Sequence, residues 1–142
     1  MVLSGLEELV VDKDRFNFLN IGERCNIAGS IKFKKLIVAG DYQAAIEIAK
    51  QQVEDGAMVL DFNVDDGMVD GVTAMGKLLR IAVTEPDVAK VPFMIDSSKF
   101  HIIEEGLKWV QGKSIVNSIS LKVGEEEFIR QVFIYLLFMH IF

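Results

Sequence analysis

Short apolar runs ending in small polar or acidic side chains recur along this chain. Pro92-Phe93-Met94-Ile95 runs into Asp96-Ser97-Ser98, and Ile115-Val116-Asn117-Ser118-Ile119-Ser120-Leu121 carries its polar residues within the run. Two earlier stretches share the shape: 16–20 leads into Gly22-Glu23-Arg24-Cys25-Asn26, and 58–63 leads into Asp65-Asp66. Such runs read as parallel strands buried on both faces. The pattern predicts strands over 16–21, 58–63, 93–96 and 114–119.

Between them the period changes to that of helices. A short helix is expected over 32–38. Asp41 is a good N-cap for a helix over 42–55, in which Ala45, Ile48, Ala49 and Val53 share a face and Gly56 suits the stop. A third helix covers 72–83 and ends at Glu85-Pro86. A fourth covers 99–110, with Ser97 or Ser98 as cap and Phe100, Ile103, Leu107 and Val110 as its apolar stripe. Gly124 with Glu125-Glu126-Glu127 opens a fifth, its acids at the positive end of the helix dipole.

Strands alternating with helices predict an α/β fold with a parallel sheet. The expected class is a partial TIM-type (β/α)8 barrel of about four β/α units, strands parallel and ordered 1-2-3-4, with Asn20, Asp61, Asp96 and Asn117 at one C-terminal edge. A full barrel needs ~250 residues. Residues 1–15 are expected to be a connector or short strand, 16–131 the first half of the barrel, and 132–142 an atypical tail. That tail is apolar on every face, where a surface helix carries a polar side. It is read as a buried terminal helix or strand, as a membrane anchor, or as a departure from the natural reading frame.

Composition narrows the classes. The 142 residues carry a net charge of −6, against a nucleic-acid footprint. The one cysteine, Cys25, excludes an internal disulfide framework and fits a reducing compartment, so a cytoplasmic location is expected. His101, His140 and Cys25 share no metal-ligand spacing. The N-terminus lacks a signal-peptide pattern, and no run approaches the ~20 apolar residues of a membrane span.

Asp96 and Asn117 carry the chemistry. Both interrupt buried-type runs, where unpaired polar groups are costly. A carboxylate offers acceptors and an amide offers both donor and acceptor, a set able to read a flat heterocycle such as a pterin. The alternative is that Asp96 caps the following helix and Asn117 satisfies backbone within the sheet; the pattern leaves both open. Gly29 and Ser30 lie in the first strand-to-helix loop, where glycine permits close approach and helix-start N–H groups attract electron-rich atoms. Asp61, Asn63, Asp65 and Asp66 lack the spacing of a complete EF-hand and read as internal hydrogen bonds or solvated acids. Glu23 and Arg24 read as an ion pair, and Cys25 as a small buried residue rather than a nucleophile.

The order and spacing of four stretches carry a resemblance: Asn20-Ile21-Gly22-Glu23-Arg24-Cys25-Asn26, Asp61-Phe62-Asn63-Val64-Asp65-Asp66-Gly67-Met68, Met94-Ile95-Asp96-Ser97-Ser98, and 111–122. Across roughly residues 3–130 the chain resembles the pterin-binding (folate) domain of cobalamin-dependent methionine synthases. The resemblance implies an eight-fold β/α barrel that binds 5-methyltetrahydrofolate, or the tetrahydrofolate product, at its C-terminal strand ends. It implies methyl transfer through cobalamin to homocysteine, giving methionine. It makes Asp96 and Asn117 pterin contacts, makes Gly29, Ser30 and Ile31 first-loop folate contacts, and assigns no catalytic nucleophile and no metal ligand to this chain. Cobalamin and zinc enter only through domains absent from these residues, the cobalamin domain being the expected partner. The chain alone is therefore expected to be truncated and inactive. Two alternatives stand: a non-catalytic half-barrel that associates through open strand edges, and a pterin-binding methyltransferase subunit of a corrinoid system.

Overall fold

The computed structural model describes residues 1–12, 14 and 18–139. A hairpin comes first, β1 (Val2–Ser4) paired antiparallel with β2 (Glu8–Val10). Four parallel strands follow in sequential order: β3 (Ile21–Asn26), β4 (Val59–Asn63), β5 (Phe93–Asp96) and β6 (Ile115–Asn117). The helices are α1 (Ile31–Ala39), α2 (Tyr42–Glu54), α3 (Gly71–Ala82), α4 (Pro86–Ala89), α5 (Phe100–Leu107) and α6 (Glu125–Met139), with a 3-10 turn at Leu121–Val123. The α/β class, the parallel strands and their order are those expected of a partial β/α barrel.

Each element has a local cause. Ser30, Asp41 and Asp70 cap α1, α2 and α3, accepting from Phe33, Ala44 and Thr73 N–H respectively. Gly40 ends α1 at φ 75, a left-handed turn that favours glycine. α3 ends at Ala82, ahead of Glu85-Pro86 as expected, and Pro86 then opens the short α4 in its first turn, where a missing N–H costs nothing.

The two faces of the sheet bury different things. Leu60, Phe62 and Ile95 turn outward into the main core with Phe33, Ile46, Met75, Leu79 and Ile103. Val59 and Met94 turn inward and pack with Leu3 of the hairpin, flanked by Ile21 and Ile115. The hairpin thus closes the inner face near the strands' N-terminal ends. Its turn sits close: a Cβ on Gly5 would meet the Ala89 and Val91 carbonyl oxygens at 2.4 Å. Ser4 N–H donates to the Lys113 carbonyl and Leu6 N–H to the Ala89 carbonyl.

The first strand departs from expectation. It runs over Ile21–Asn26 instead of 16–21; Phe16 and Asn17 lie outside the described residues. Asn20 therefore sits at the N-terminal end of β3, its carbonyl accepting from Met58 and Val59 N–H, and Asn26 takes the C-terminal edge assigned to Asn20. The reason is burial. Among the described residues β3 has a neighbour on one side only, and exposed Glu23 and Arg24 lie within a register shift between Gly22 and Cys25, so it lacks the apolar run of a central strand. β6, shorter than the expected 114–119, is likewise paired on one side.

The C-terminal helix continues through Val132 to Met139 without a break. It packs partly against α5, and Tyr135 Oη donates to the Ser114 carbonyl at 2.9 Å. Ile129, Phe133, Leu136 and Leu137 remain exposed. No helix among the described residues is long and apolar enough to cross a membrane.

Candidate functional site

Strand register builds a row of polar side chains. Asn26 pairs with Asn63, Asn63 with Asp96, and Asp96 with Asn117, each at the C-terminal end of its strand. Side chains alternate faces along a strand, so Asp96 and Asn117 share the inner face with Met94 and Ile115, two residues earlier. Asp61 lies on the same face of β4 as Asn63, below the row.

The two asparagines are held in one orientation. Asn26 Oδ1 accepts from Ala28 N–H at 2.9 Å, and Asn63 Oδ1 accepts from Asp65 N–H at 2.8 Å. With their oxygens anchored, their amide nitrogens face the carboxylates. Asn63 Nδ2 donates to Asp96 Oδ2 at 2.9 Å. Asn26 Nδ2 lies 3.0 Å from Asp61 Oδ2 and 3.3 Å from Asp96 Oδ2. Asp96 Oδ1 and the Asn117 side chain make no hydrogen bond among the described residues. Asn117 is exposed at the sheet edge, and its carbonyl accepts from Ser97 N–H at 2.9 Å.

The next shell holds the loops. Asp65 accepts from Ser97 Oγ at 2.6 Å and from both the N–H and the Oγ of Ser98 at 2.7 Å, stapling the loop after β4 to the loop after β5. Burial alone would raise its carboxyl, but these bonds hold it below the usual range. Ser97 and Ser98 thus serve Asp65, and no side-chain cap closes the start of α5. Asp66 pairs with Lys34 and accepts from Met68 N–H, so its carboxyl is lowered. Asp65 and Asp66 are thus spent on internal bonds. No cluster of three or more His, Cys, Asp or Glu among the described residues could hold a metal ion.

Of the other candidates, Gly29 N–H donates to the Asn26 carbonyl at 3.1 Å, tying the first loop to the row. Ser30 Oγ accepts from Phe33 N–H at 3.2 Å as the α1 cap, and Ile31 is exposed. No hydrogen bond joins these three residues to Asp96 or Asn117. Ser30 lines a separate cavity of about 510 Å³, with Arg24, Glu47 and Gln52, beside the open edge of β3. No ion pair joins Glu23 to Arg24 among the described residues; neighbours in a strand point to opposite faces. Cys25 is fully buried and receives Gln52 Nε2 at 3.3 Å. Burial pushes its thiol up to about 12, so it stays neutral and is no nucleophile.

Asp61 is 1% exposed, and its Oδ1 is buried without a hydrogen-bond partner. Burial pushes its carboxyl up to about 6; the Asn26 bond pulls the other way, and the charges of Asp96 and Glu23 add to the rise. Burial also raises Asp96, opposed by Asn63 and reinforced by Asp65 and Glu23. The sign for stability follows. A carboxyl raised on folding binds its proton more tightly in the folded state, so its contribution is present below the unfolded value of ~3.9 and is lost as pH climbs to about 6. Asp61→Asn is accordingly expected to raise the thermal midpoint by a few degrees at pH 7–8 and by less at pH 4. Calorimetric melts of both proteins across this range check it; a gain confined to acid would refute the assignment.

Asn26 and Asn63 were not singled out by the sequence as part of this row. The one available signal is the Asp61-x-Asn63 spacing, which places both side chains on one face of a strand. Assembled, the row offers a carboxylate with one free oxygen beside an uncommitted amide, a surface for a ring that alternates N–H and C=O groups. A family model described as pterin binding enzyme matches residues 22–141. That span covers the whole row, the Asp65 staple and the C-terminal helix, and the chain belongs to the family of pterin-binding enzymes.

Proposed function

We propose that this chain binds 5-methyltetrahydrofolate as the first half of a methionine synthase folate barrel. The observation that carries the reading is the pairing of Asp96 with Asn117. Asp96 Oδ2 is occupied by two amides, which leaves Oδ1 to accept N–H groups of a pterin edge, while the Asn117 amide supplies a donor and an acceptor beside it. Gly29, Ser30 and Ile31 would contact the folate from the first loop. The residues position the pterin while charge forms at its N5. Cobalamin, carried by another domain, supplies the methyl acceptor; zinc belongs to the homocysteine domain. No residue here is asked to act as nucleophile, consistent with the neutral thiol of Cys25.

The test is calorimetric titration of the chain with 5-methyltetrahydrofolate, run beside sedimentation analysis over a range of protein concentrations. Saturable one-to-one binding supports the reading. A second reading draws on the open edges of β3 and β6 and the exposed apolar side chains of α6: a non-catalytic half-barrel that associates through them. Mass rising with concentration, without any folate heat, would favour that reading and sink the first.

A further inference from the structure

The loop after β4 reaches beyond its own strand. Asp65 N–H holds the Asn63 oxygen at 2.8 Å, and Asn63 in turn donates to Asp96. The Asp65 carboxylate accepts from Ser97 Oγ at 2.6 Å and from both donors of Ser98 at 2.7 Å. Ser97 N–H then donates to the Asn117 carbonyl at 2.9 Å. One residue therefore bears on the C-terminal ends of β4, β5 and β6. Nothing duplicates it: the N–H and hydroxyl of Ser98 have no other acceptor among the described residues, and Ser97 is buried. β6 is three residues long and Asn117 makes its last pair, so the Ser97 bond lies beyond that pair and ties the end of β6 to β5.

We propose that Asp65 is a positioning residue of the pterin site: it clamps the loop after β5 so that Asp96 and Asn117 keep one spacing, and it stands as a second carboxylate near Asp96. The proposal rests on the reading of Asp96 and Asn117 as the pterin contacts. The charged groups bearing on Asp96 are Asp65 from the loop after β4 and Glu23 from β3, with Asn63 and Asn26 as its hydrogen-bond donors. Asp61 of β4 shares the Asn26 amide with it and feels its charge, and Asn117 of β6 brings no charge. No lysine or arginine among the described residues forms an ion pair with Asp96; Lys99 acts on Asp65 instead. Asp65 is held below the usual carboxylate range and Asp96 above it, so Asp65 is already charged when Asp96 titrates. That charge opposes ionisation of Asp96, which keeps the Asp96 carboxylate more basic and a stronger acceptor for ring N–H groups.

Carboxyl-carbon NMR of the 142-residue chain reads the charge without ligand. Asp65→Asn is expected to move the Asp96 midpoint to lower pH. Asp66→Asn changes the same loop but not a group that acts on Asp96, and is expected to leave the midpoint in place. An unmoved midpoint in Asp65→Asn, or equal movement in both variants, overturns the proposal. Calorimetry with tetrahydrofolate reads the clamp. Asp65→Asn is expected to bind about fivefold more weakly at pH 7 and to have its acid limb of affinity at lower pH, the ligand's own titration being common to both proteins. A purely structural role would weaken binding without moving the limb, and that result also overturns the proposal. Ser97→Ala keeps the Asp65 charge and removes one hydroxyl from the clamp; it is expected to bind about threefold more weakly with the Asp96 midpoint unmoved. Wild-type affinity in Ser97→Ala overturns the clamp even where Asp65→Asn does not fold. A shifted Asp96 midpoint in Asp65→Asn together with unimpaired binding by Asp96→Ala would instead show that the pterin reading is at fault, and the role given to Asp65 would fall with it.

Discussion

Asp96→Ala is expected to weaken 5-methyltetrahydrofolate binding by roughly tenfold or more, the effect of removing a charged hydrogen-bonding partner worth ~1.5–3 kcal/mol. Asn117→Ala is expected to cost less, about fivefold, because its amide is exposed at the sheet edge and water can replace part of what it gives. Stability should not follow affinity. In wild type, burial and the nearby charges of Asp65 and Glu23 disfavour the ionised Asp96. Alanine removes that burden while leaving the Asn26 and Asn63 amides without this acceptor, so the two effects oppose one another. A residue that matters much for binding and little for folding marks a site rather than a scaffold. Calorimetric titration and thermal melts of the same preparations separate the two quantities. Both variants binding folate like the wild type would end the assignment.

What could be read in advance follows burial. β4 is buried at every position and β5 at all but its last, so a short apolar run was a sufficient signal for both. Among the described residues β3 and β6 each pair on one side only; the polar residues of β3 belong to the strand rather than to the loop after it, while β6 stops at Asn117, short of the expected run. An apolar run misplaces such a strand, which is how Asn20 came to be expected where Asn26 stands. Around Pro86 the end of α3 was read correctly and the short α4 was missed: the residue that bars a helix interior also suits a helix start. The placement of Asp96 and Asn117 at neighbouring strand ends was legible because each interrupts an apolar run. The bond from Asn26 to Asp96 spans 70 residues, and the one from Asn63 to Asp96 spans 33. Such pairings depend on register, which depends on packing against the helices. The acids of β4 and its loop were expected to be either solvated or internally hydrogen-bonded, and Asp65 and Asp66 take the second course.

Register also sets the other large effect. Phe62 lies between Asp61 and Asn63 but points to the opposite face, where it is fully buried in the main core. Its ring meets Phe93 edge-on, with centroids 4.9 Å apart at 67°. The contact spans the neighbouring strands whose ends carry Asn63 and Asp96. Phe62→Ala removes a large buried side chain and leaves a void that close-packed neighbours fill only in part. The expected loss is ~3–5 kcal/mol, a large share of the ~5–15 kcal/mol that holds a typical domain folded. Phe62→Leu keeps most of the volume and should lose much less. Urea unfolding of the three proteins, compared at equal slope, reads the difference. Where Phe62→Ala remains folded, its folate affinity should also fall, because Asn63 can then shift relative to Asp96 although neither residue has changed. A loss under 1 kcal/mol for Phe62→Ala would show that this contact does not hold β4 against β5, and the account of how the polar row keeps its register would be wrong.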